Sequence, residues 1–439
     1  MSRGNPAASA AALRKTIGLF GAVSLALGIV VGAGMLSLPG LVYEVSGGWA
    51  VLAWLSNGAL VLPLLFVFVA LGRRFPGAGG VAGFVGQAFP ALRPGSAYLL
   101  VGTFSLGLPG IALTGAEYAL RGFGFAAAAG TGAWPATAIA ASIIAAVTAA
   151  AWFGGRLAGG LQNLVVAVLV LSLGFVALAA APAWTGIDFR VGAPTLSGLW
   201  SGMGLAFFAY TGWEMLSFMT EEFKNPRRDF PLAVAISFAI VVALYVGAAL
   251  AVQAFVPFGE TAAEAAPFLV VVGALLGGVD GAAAVVACLA VVIVVANLNG
   301  AVWAASRLVF DIGRSGWAPR RLALGTLGGK AATPRAALAA VCTLFAVVLC
   351  LHGFKVLGLA DLLRVAGQNF FLLYVLAVAA FVKIDGRPAR RLFGSAALVV
   401  CLVFGAGFGW SLLYAAALFA VPYVIEPWIE RNRHREIVP

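Results

Sequence analysis

Apolar runs recur along this chain near residues 17–43, 49–71, 96–120, 134–153, 160–182, 197–220, 231–256, 279–310, 335–352, 361–383, 391–407 and 409–427. A helix needs roughly 17 to 25 such residues to cross a bilayer. This repetition constrains the fold more than any motif. In lipid every backbone N–H and C=O must find its partner within the protein, so runs of this kind become α-helices. Charged residues make up only 10% of the chain, against about 25% in a soluble domain. The sequence predicts an all-α polytopic membrane protein with about twelve transmembrane helices. The net charge of +11 is no sign of nucleic acid, because the basic residues sit in short loops between apolar runs. Cys288, Cys342, Cys350 and Cys401 all fall inside apolar runs without metal or redox spacing, and read as small hydrophobes.

Two runs are interrupted where a helix should be most regular. The first contains Gly28-Ile-Val-Val-Gly32-Ala33-Gly34, and the sixth contains Phe207-Phe208-Ala-Tyr-Thr211-Gly-Trp-Glu214. Each glycine costs a membrane helix about 1 kcal/mol relative to alanine. Unwound backbone in lipid survives only where it lines a cavity and its bare peptide groups hold something else. The pattern therefore predicts a solute carrier whose first helix is opened to bind its cargo.

The interrupted runs open two successive groups of five. Five is odd, so the second group enters the membrane upside down relative to the first, giving a 5+5 inverted repeat. The expected organisation is a tail at 1–16, repeats at 17–182 and 197–383, two peripheral helices at 391–427 and a tail at 428–439. The amphipathic stretch 73–87 then corresponds to 256–278. Lysine and arginine fix the orientation. With both termini cytoplasmic, inner loops collect Arg14, Lys15, Arg73, Arg74, Lys224, Arg227, Arg320, Arg321, Lys383 and Arg391 among others. The outer loops receive Arg121, Arg190, Lys355 and Arg364.

Several strings also match a known family in order and at the expected helix ends. They are Gly28 to Met35 with Pro39-Gly40, Gly72-Arg-Arg-Phe-Pro-Gly-Ala-Gly-Gly to Gly86, Gly107-Leu-Pro109, and Glu222-Phe-Lys-Asn-Pro-Arg-Arg-Asp-Phe-Pro231. On these the chain resembles the amino acid–polyamine–organocation (APC) transporter superfamily, and within it the bacterial L-methionine and branched-chain amino acid exporters. The resemblance implies amino acid transport by alternating access in a bacterial cytoplasmic membrane, with discontinuous helices 1 and 6. An uptake permease or exchanger of the same fold is the alternative, and a membrane amino acid sensor a distant one.

An amino acid zwitterion needs donors for its carboxylate and acceptors for its ammonium. N–H groups at Gly32, Ala33 and Gly34 open the second half of helix 1 and suit the carboxylate. The family usually places a hydroxyl where Ala33 stands, so main-chain donors must suffice. Carbonyls around Ala26 to Ile29 and at Phe207 and Phe208, with the Thr211 hydroxyl, suit the ammonium. Phe208 aligns with the family's aromatic lid; ordinary packing is the other reading for Phe207 and Phe208. Glu214 either couples a proton to closure or braces helices 1 and 6. Asn297, Asn299, Gln368 and Asn369 line the cavity or glue helices together.

Departures from the family pattern disfavour sodium coupling. Ala301, Ala304 and Ala305 leave no hydroxyl pair for sodium, and Val170 stands where proton-coupled relatives often carry a sodium-replacing lysine, so a proton route would differ from the lysine version. No cofactor is expected, and a proton gradient is the candidate driving force. An enzyme is excluded by chemistry, since His352 and His434 are the only histidines and neither has a ligand-spaced partner. The expected partners are an amino acid and the lipid bilayer, with no nucleic acid.

Overall fold

A computed structural model of the chain describes residues 17–32, 34–75, 80–125, 132–153, 159–213, 216, 223–260, 265–328, 333–406, 408 and 412–437. The first apolar run forms two short helices, α1 (Leu19–Val30) and α2 (Gly34–Ser46). The first repeat continues with α3 (Ala50–Arg74), α4 (Gly80–Ala88), α5 (Arg93–Gly122), α6 (Trp134–Trp152) and α7 (Gly159–Ala180). The second begins with α8 (Leu196–Ala209), followed by α9 (Pro226–Phe255), α10 (Pro267–Leu275), α11 (Ala282–Arg314), α12 (Arg335–Gly353) and α13 (Leu359–Ile384). Two further helices, α14 (Pro388–Ala406) and α15 (Leu412–Ile437), complete the chain. Among the described residues the β-type pairings are two isolated bridges, Ile17 with Phe223 and Gly328 with Thr333.

Eight helical stretches among the described residues are long and apolar enough to cross a membrane. The shorter ones are informative. α1, α2 and α8 contain 12, 13 and 14 residues, or about 18 to 21 Å at 1.5 Å per residue. None spans a core of about 30 Å alone. α1 and α2 together do, which is how an interrupted helix crosses.

The two amphipathic stretches become short helices of nine residues each, α4 and α10. They follow the second and seventh apolar runs, as an inverted repeat requires. The last helix runs on to Ile437, past the apolar limit at 427. Charge ends a membrane run without ending a helix, whose polar turns continue readily into water.

Local chemistry explains several helix starts. The Thr195 hydroxyl accepts the Gly198 N–H at 3.0 Å and caps α8. Pro226 opens α9, where a missing N–H costs nothing, and Asp229 follows in its first turn to complement the dipole. The Asp361 carboxylate accepts the Gly358 N–H at 3.0 Å at the start of α13. α5 is the axis of the bundle and is almost wholly buried. Its glycines admit neighbours closely: Gly110 faces Leu363 of α13, Gly115 faces Val294 of α11, and Gly122 faces Ala287 of α11. Close contact through small residues is what binds helices in lipid, where apolar burial gives no preference between protein and solvent. The same device joins α2 to α8. Gly198 and Gly202 are one turn apart and lie against Val45 and Ser46, and the Ser46 hydroxyl donates to the Gly198 carbonyl at 3.1 Å.

Candidate functional site

The two breaks meet at the middle of the bundle. α1 ends at Val30, where the Val31 N–H still reaches Leu27 O at 2.8 Å. Helical continuation would send the Gly32 N–H to Gly28 O. Instead it closes a tight turn on Val30 O at 2.8 Å, leaving Gly28 O without its helical donor. The Asn297 amide of α11 fills in, donating to Gly28 O at a long 3.4 Å. α2 starts at Gly34, where the Met35 N–H donates to Gly32 O at 3.1 Å and the Gly34 N–H has no acceptor within the helix. Ala33 lies outside the described residues.

The second break is satisfied locally. α8 ends at Ala209, and the Tyr210 N–H turns back to Phe207 O at 3.0 Å. Phe208 O accepts both the Thr211 N–H at 3.2 Å and the Thr211 hydroxyl at 2.7 Å. Both lone pairs of that carbonyl are in use. The Thr211 oxygen, having donated its proton, keeps acceptor capacity. Gly212 adopts φ +107°, a conformation open to glycine. A Cβ there would lie 3.1 Å from Ile29 Cγ2, so the breaks abut directly. Glu214 lies outside the described residues.

The predicted residues differ in what surrounds them. A Cβ on Gly32 would sit 2.8 Å from Asn297 Nδ2, which means the amide occupies the space a side chain would need. At Gly34 a Cβ would meet Phe208 at an ordinary 3.5 Å. Phe208 is half-buried, with glycines on three sides: Gly34 of α2, Gly107 of α5 and Gly367 of α13 all leave room for it. Phe207 is fully buried against Phe371 and Tyr374, with ring centroids 5.4 and 6.0 Å away. Its side chain belongs to the packing behind the break. Ile29 is half-buried and faces Gly212.

Tyr245 of α9 was not singled out by its sequence. Fully buried, its hydroxyl lies 2.8 Å from Val30 O and 2.9 Å from Ala209 O, the last carbonyls of α1 and α8. One hydroxyl proton serves both acceptors in turn, so Tyr245 fastens the two half-helices together. Trp54 and Tyr210 pack on its ring at 5.2 and 5.1 Å. The signal available was a tyrosine in the middle of an apolar run, where its hydroxyl must find a partner.

Other candidates fall into place around this centre. Gln368 and Asn369 are buried on α13, and Gln368 Oε1 and both Asn369 side-chain polar atoms lack hydrogen-bond partners among the described residues. Asn299 is half-buried on α11. Glu117 pairs with Arg121 one turn on at 3.0 Å, as its spacing predicts, and takes no part in the breaks. At the α1 end of the bundle the Lys224 N–H donates to Ile17 O at 2.8 Å, tying α1 to the segment before α9. Arg74 reaches Ile384 O at 3.1 Å and Lys383 reaches Ala88 O at 2.8 Å, so α3, α4 and α13 close on one another. Residues 76–79 of the Gly72–Gly86 string, with Glu221 and Glu222, lie outside the described residues.

Comparison with known proteins now bears on this geometry. Residues 17–431 match the family described as amino acid permease. An amino acid permease of Bacillus subtilis (strain 168), YecA, is 30% identical over 94% of this chain and 95% of its own length. The L-methionine/branched-chain amino acid exporter YjeH of Escherichia coli (strain K12) is 29% identical over 94% of this chain and 97% of its own. The crystal structure of MhsT in complex with L-phenylalanine superposes with a TM-score of 0.59, covering 90% of this chain and 99% of that one at 16% identity. That likeness shows the fold. Apolar crossing helices, an inverted repeat with an interrupted first helix, and a permease match over nearly the whole length agree: the chain belongs to the amino acid permease family of the APC superfamily, and is a multi-pass membrane transporter of amino acids rather than an enzyme.

Proposed function

We propose that the protein is a secondary active transporter that exports neutral apolar amino acids (methionine, leucine, isoleucine and valine) across a bacterial cytoplasmic membrane, driven by a proton gradient. The observation that carries this reading is the unequal satisfaction of backbone at the first break. Among the described residues Gly28 O takes a long bond from a side-chain amide, and α2 begins close by at Gly34, whose N–H has no acceptor within the helix. An ammonium displaces the Asn297 amide from Gly28 O and draws on the Thr211 oxygen. A carboxylate takes the N–H groups at Gly34 and Ala33, assisted by the positive end of α2. For Gly32 to join them, its N–H must leave Val30 O.

Neither α1 nor α8 carries a charged side chain, and Glu44 near the far end of α2 is the only one there. Such walls suit an apolar substrate side chain beside Ile29 and the Phe208 ring. The likeness to YjeH supports methionine and branched-chain substrates and outward transport. Glu214 stands two residues beyond Gly212 in the sequence and is the candidate proton carrier. The lopsided loop charge supports both termini on the cytoplasmic side.

Proteoliposomes loaded with labelled methionine test the whole reading. Efflux should accelerate when the pH gradient drives protons inward, and Glu214→Gln should lose that acceleration. Gradient-independent efflux, equal in the variant, would remove proton coupling. Absence of flux for every neutral apolar amino acid would remove the substrate assignment.

A further inference from the structure

Away from the breaks, α6 and α12 leave a groove between them on the outer face of the bundle. It has a volume of about 470 Å³ and is lined by Ala145, Thr148, Ala149, Trp152, Cys342 and Ala346 among others. Ala145, Ala149 and Ala346 are exposed, so the groove opens toward lipid. The polar atoms in it are already matched, since the Cys342 thiol donates to the Thr148 hydroxyl at 3.1 Å. What fills it must be apolar.

One end of the groove is not apolar. Arg335, the first residue of α12, lays its guanidinium over the Trp152 ring at 5.3 Å. Its Nε is buried and has no hydrogen-bond partner among the described residues. A guanidinium held in place by an aromatic face, with donors to spare, matches a phosphate. The dimensions agree with that pairing. From Ala141 to Trp152 the lining of α6 covers eleven residue steps, about 16 Å at 1.5 Å per residue. That is about half of a 30 Å hydrocarbon core, one leaflet deep, with Arg335 at headgroup level. At the opposite end of the same helix pair, Trp134 and Phe354 meet edge to face at 5.1 Å, a second aromatic rim.

We propose that the α6–α12 groove is a binding site for one anionic phospholipid, an acyl chain lying along Ala145, Ala149 and Ala346 and the phosphate on Arg335. In the proposed topology this is a lipid of the cytoplasmic leaflet. Basic pockets between transmembrane helices on that side favour such headgroups.

The test is thermal unfolding of delipidated, detergent-purified protein titrated with phosphatidylglycerol, phosphatidylcholine or inorganic phosphate, with native mass spectrometry of the same samples. Phosphatidylglycerol should stabilise the wild type more than phosphatidylcholine and leave a bound adduct, and inorganic phosphate should do neither. Arg335→Gln should bind phosphatidylglycerol about fivefold more weakly, the effect of roughly one interfacial cation, and lose the headgroup preference. Ala145→Phe, on the lipid face, fills the groove and should abolish the adduct while Arg335 remains. If Arg335→Gln does not fold, Ala145→Phe carries the test alone. Equal stabilisation by both lipids, a full response to phosphate alone, or an adduct that survives Ala145→Phe would each overturn the assignment.

Discussion

The break after α1 and the break after α8 both close with tight turns and share the Tyr245 hydroxyl, yet Gly28 O and Phe208 O are satisfied differently. After α8 the chain satisfies itself: Tyr210 and Thr211 fold back onto Phe207 O and Phe208 O within four residues. After α1 the Val31, Gly32 and Met35 N–H groups also turn back locally, but Gly28 O depends on the distant Asn297 amide, while the Tyr245 hydroxyl serves Val30 O and Ala209 O alike. A bond of 3.4 Å to Gly28 O is weak enough to yield to a charged donor, whereas Phe208 O is held by two donors, one of them at 2.7 Å. On the proposed reading the difference makes the first break the ligand's and the second a wall, faced by the Phe208 ring.

That contrast can be broken by substitution. The largest effect is expected from Gly32→Val, which drives a branched side chain into the space Asn297 occupies. Binding should be lost, with membrane insertion intact by protease protection. Gly212→Ala comes next. It places a side chain at φ +107° and against Ile29, at about 1–3 kcal/mol of backbone strain, read as a lowered unfolding midpoint with or without substrate. Tyr245→Phe strips the shared hydroxyl from Val30 O and Ala209 O, and should cost about 1–3 kcal/mol of stability. Because both breaks lose a partner together, this variant should also weaken binding, measured by scintillation proximity. Thr211→Val removes one local bond and one acceptor, worth about 0.5–1.5 kcal/mol. A loss of affinity well beyond tenfold would instead make the second break the main ammonium site. The smallest effect belongs to Gly34→Ala, whose added Cβ meets Phe208 at van der Waals distance and should leave affinity within about twofold, under 0.5 kcal/mol.

The architecture was legible because lipid leaves the backbone few choices. Among the described residues the apolar runs are helical, the interruption at Gly28–Gly34 is a gap between α1 and α2, and the amphipathic stretches carry α4 and α10. What could not be read was which atom answers which carbonyl. Asn297 lies 269 residues from Gly28, and Tyr245 lies 215 residues from Val30, so no local spacing announces either pairing. At Gly32 the space a side chain would need is filled by the Asn297 amide. Gly107 belonged to a motif without a stated purpose, and proves to be clearance for Phe208. Sequence shows where backbone is exposed; only packing shows what already covers it.

The central claim is that main-chain groups at the first break hold both charges of an amino acid. Competition against labelled L-methionine by L-methionine itself, its methyl ester and its N-acetyl derivative, on the purified wild-type protein, tests it most directly. Unlabelled methionine should displace the label, while the ester lacks the anion for the N–H groups of α2 and the acetylated form lacks the cation for Gly28 O. Both should compete at least about a hundredfold more weakly, the loss of a charge-assisted bond of about 3 kcal/mol. Competition by either derivative at the affinity of methionine would contradict the account.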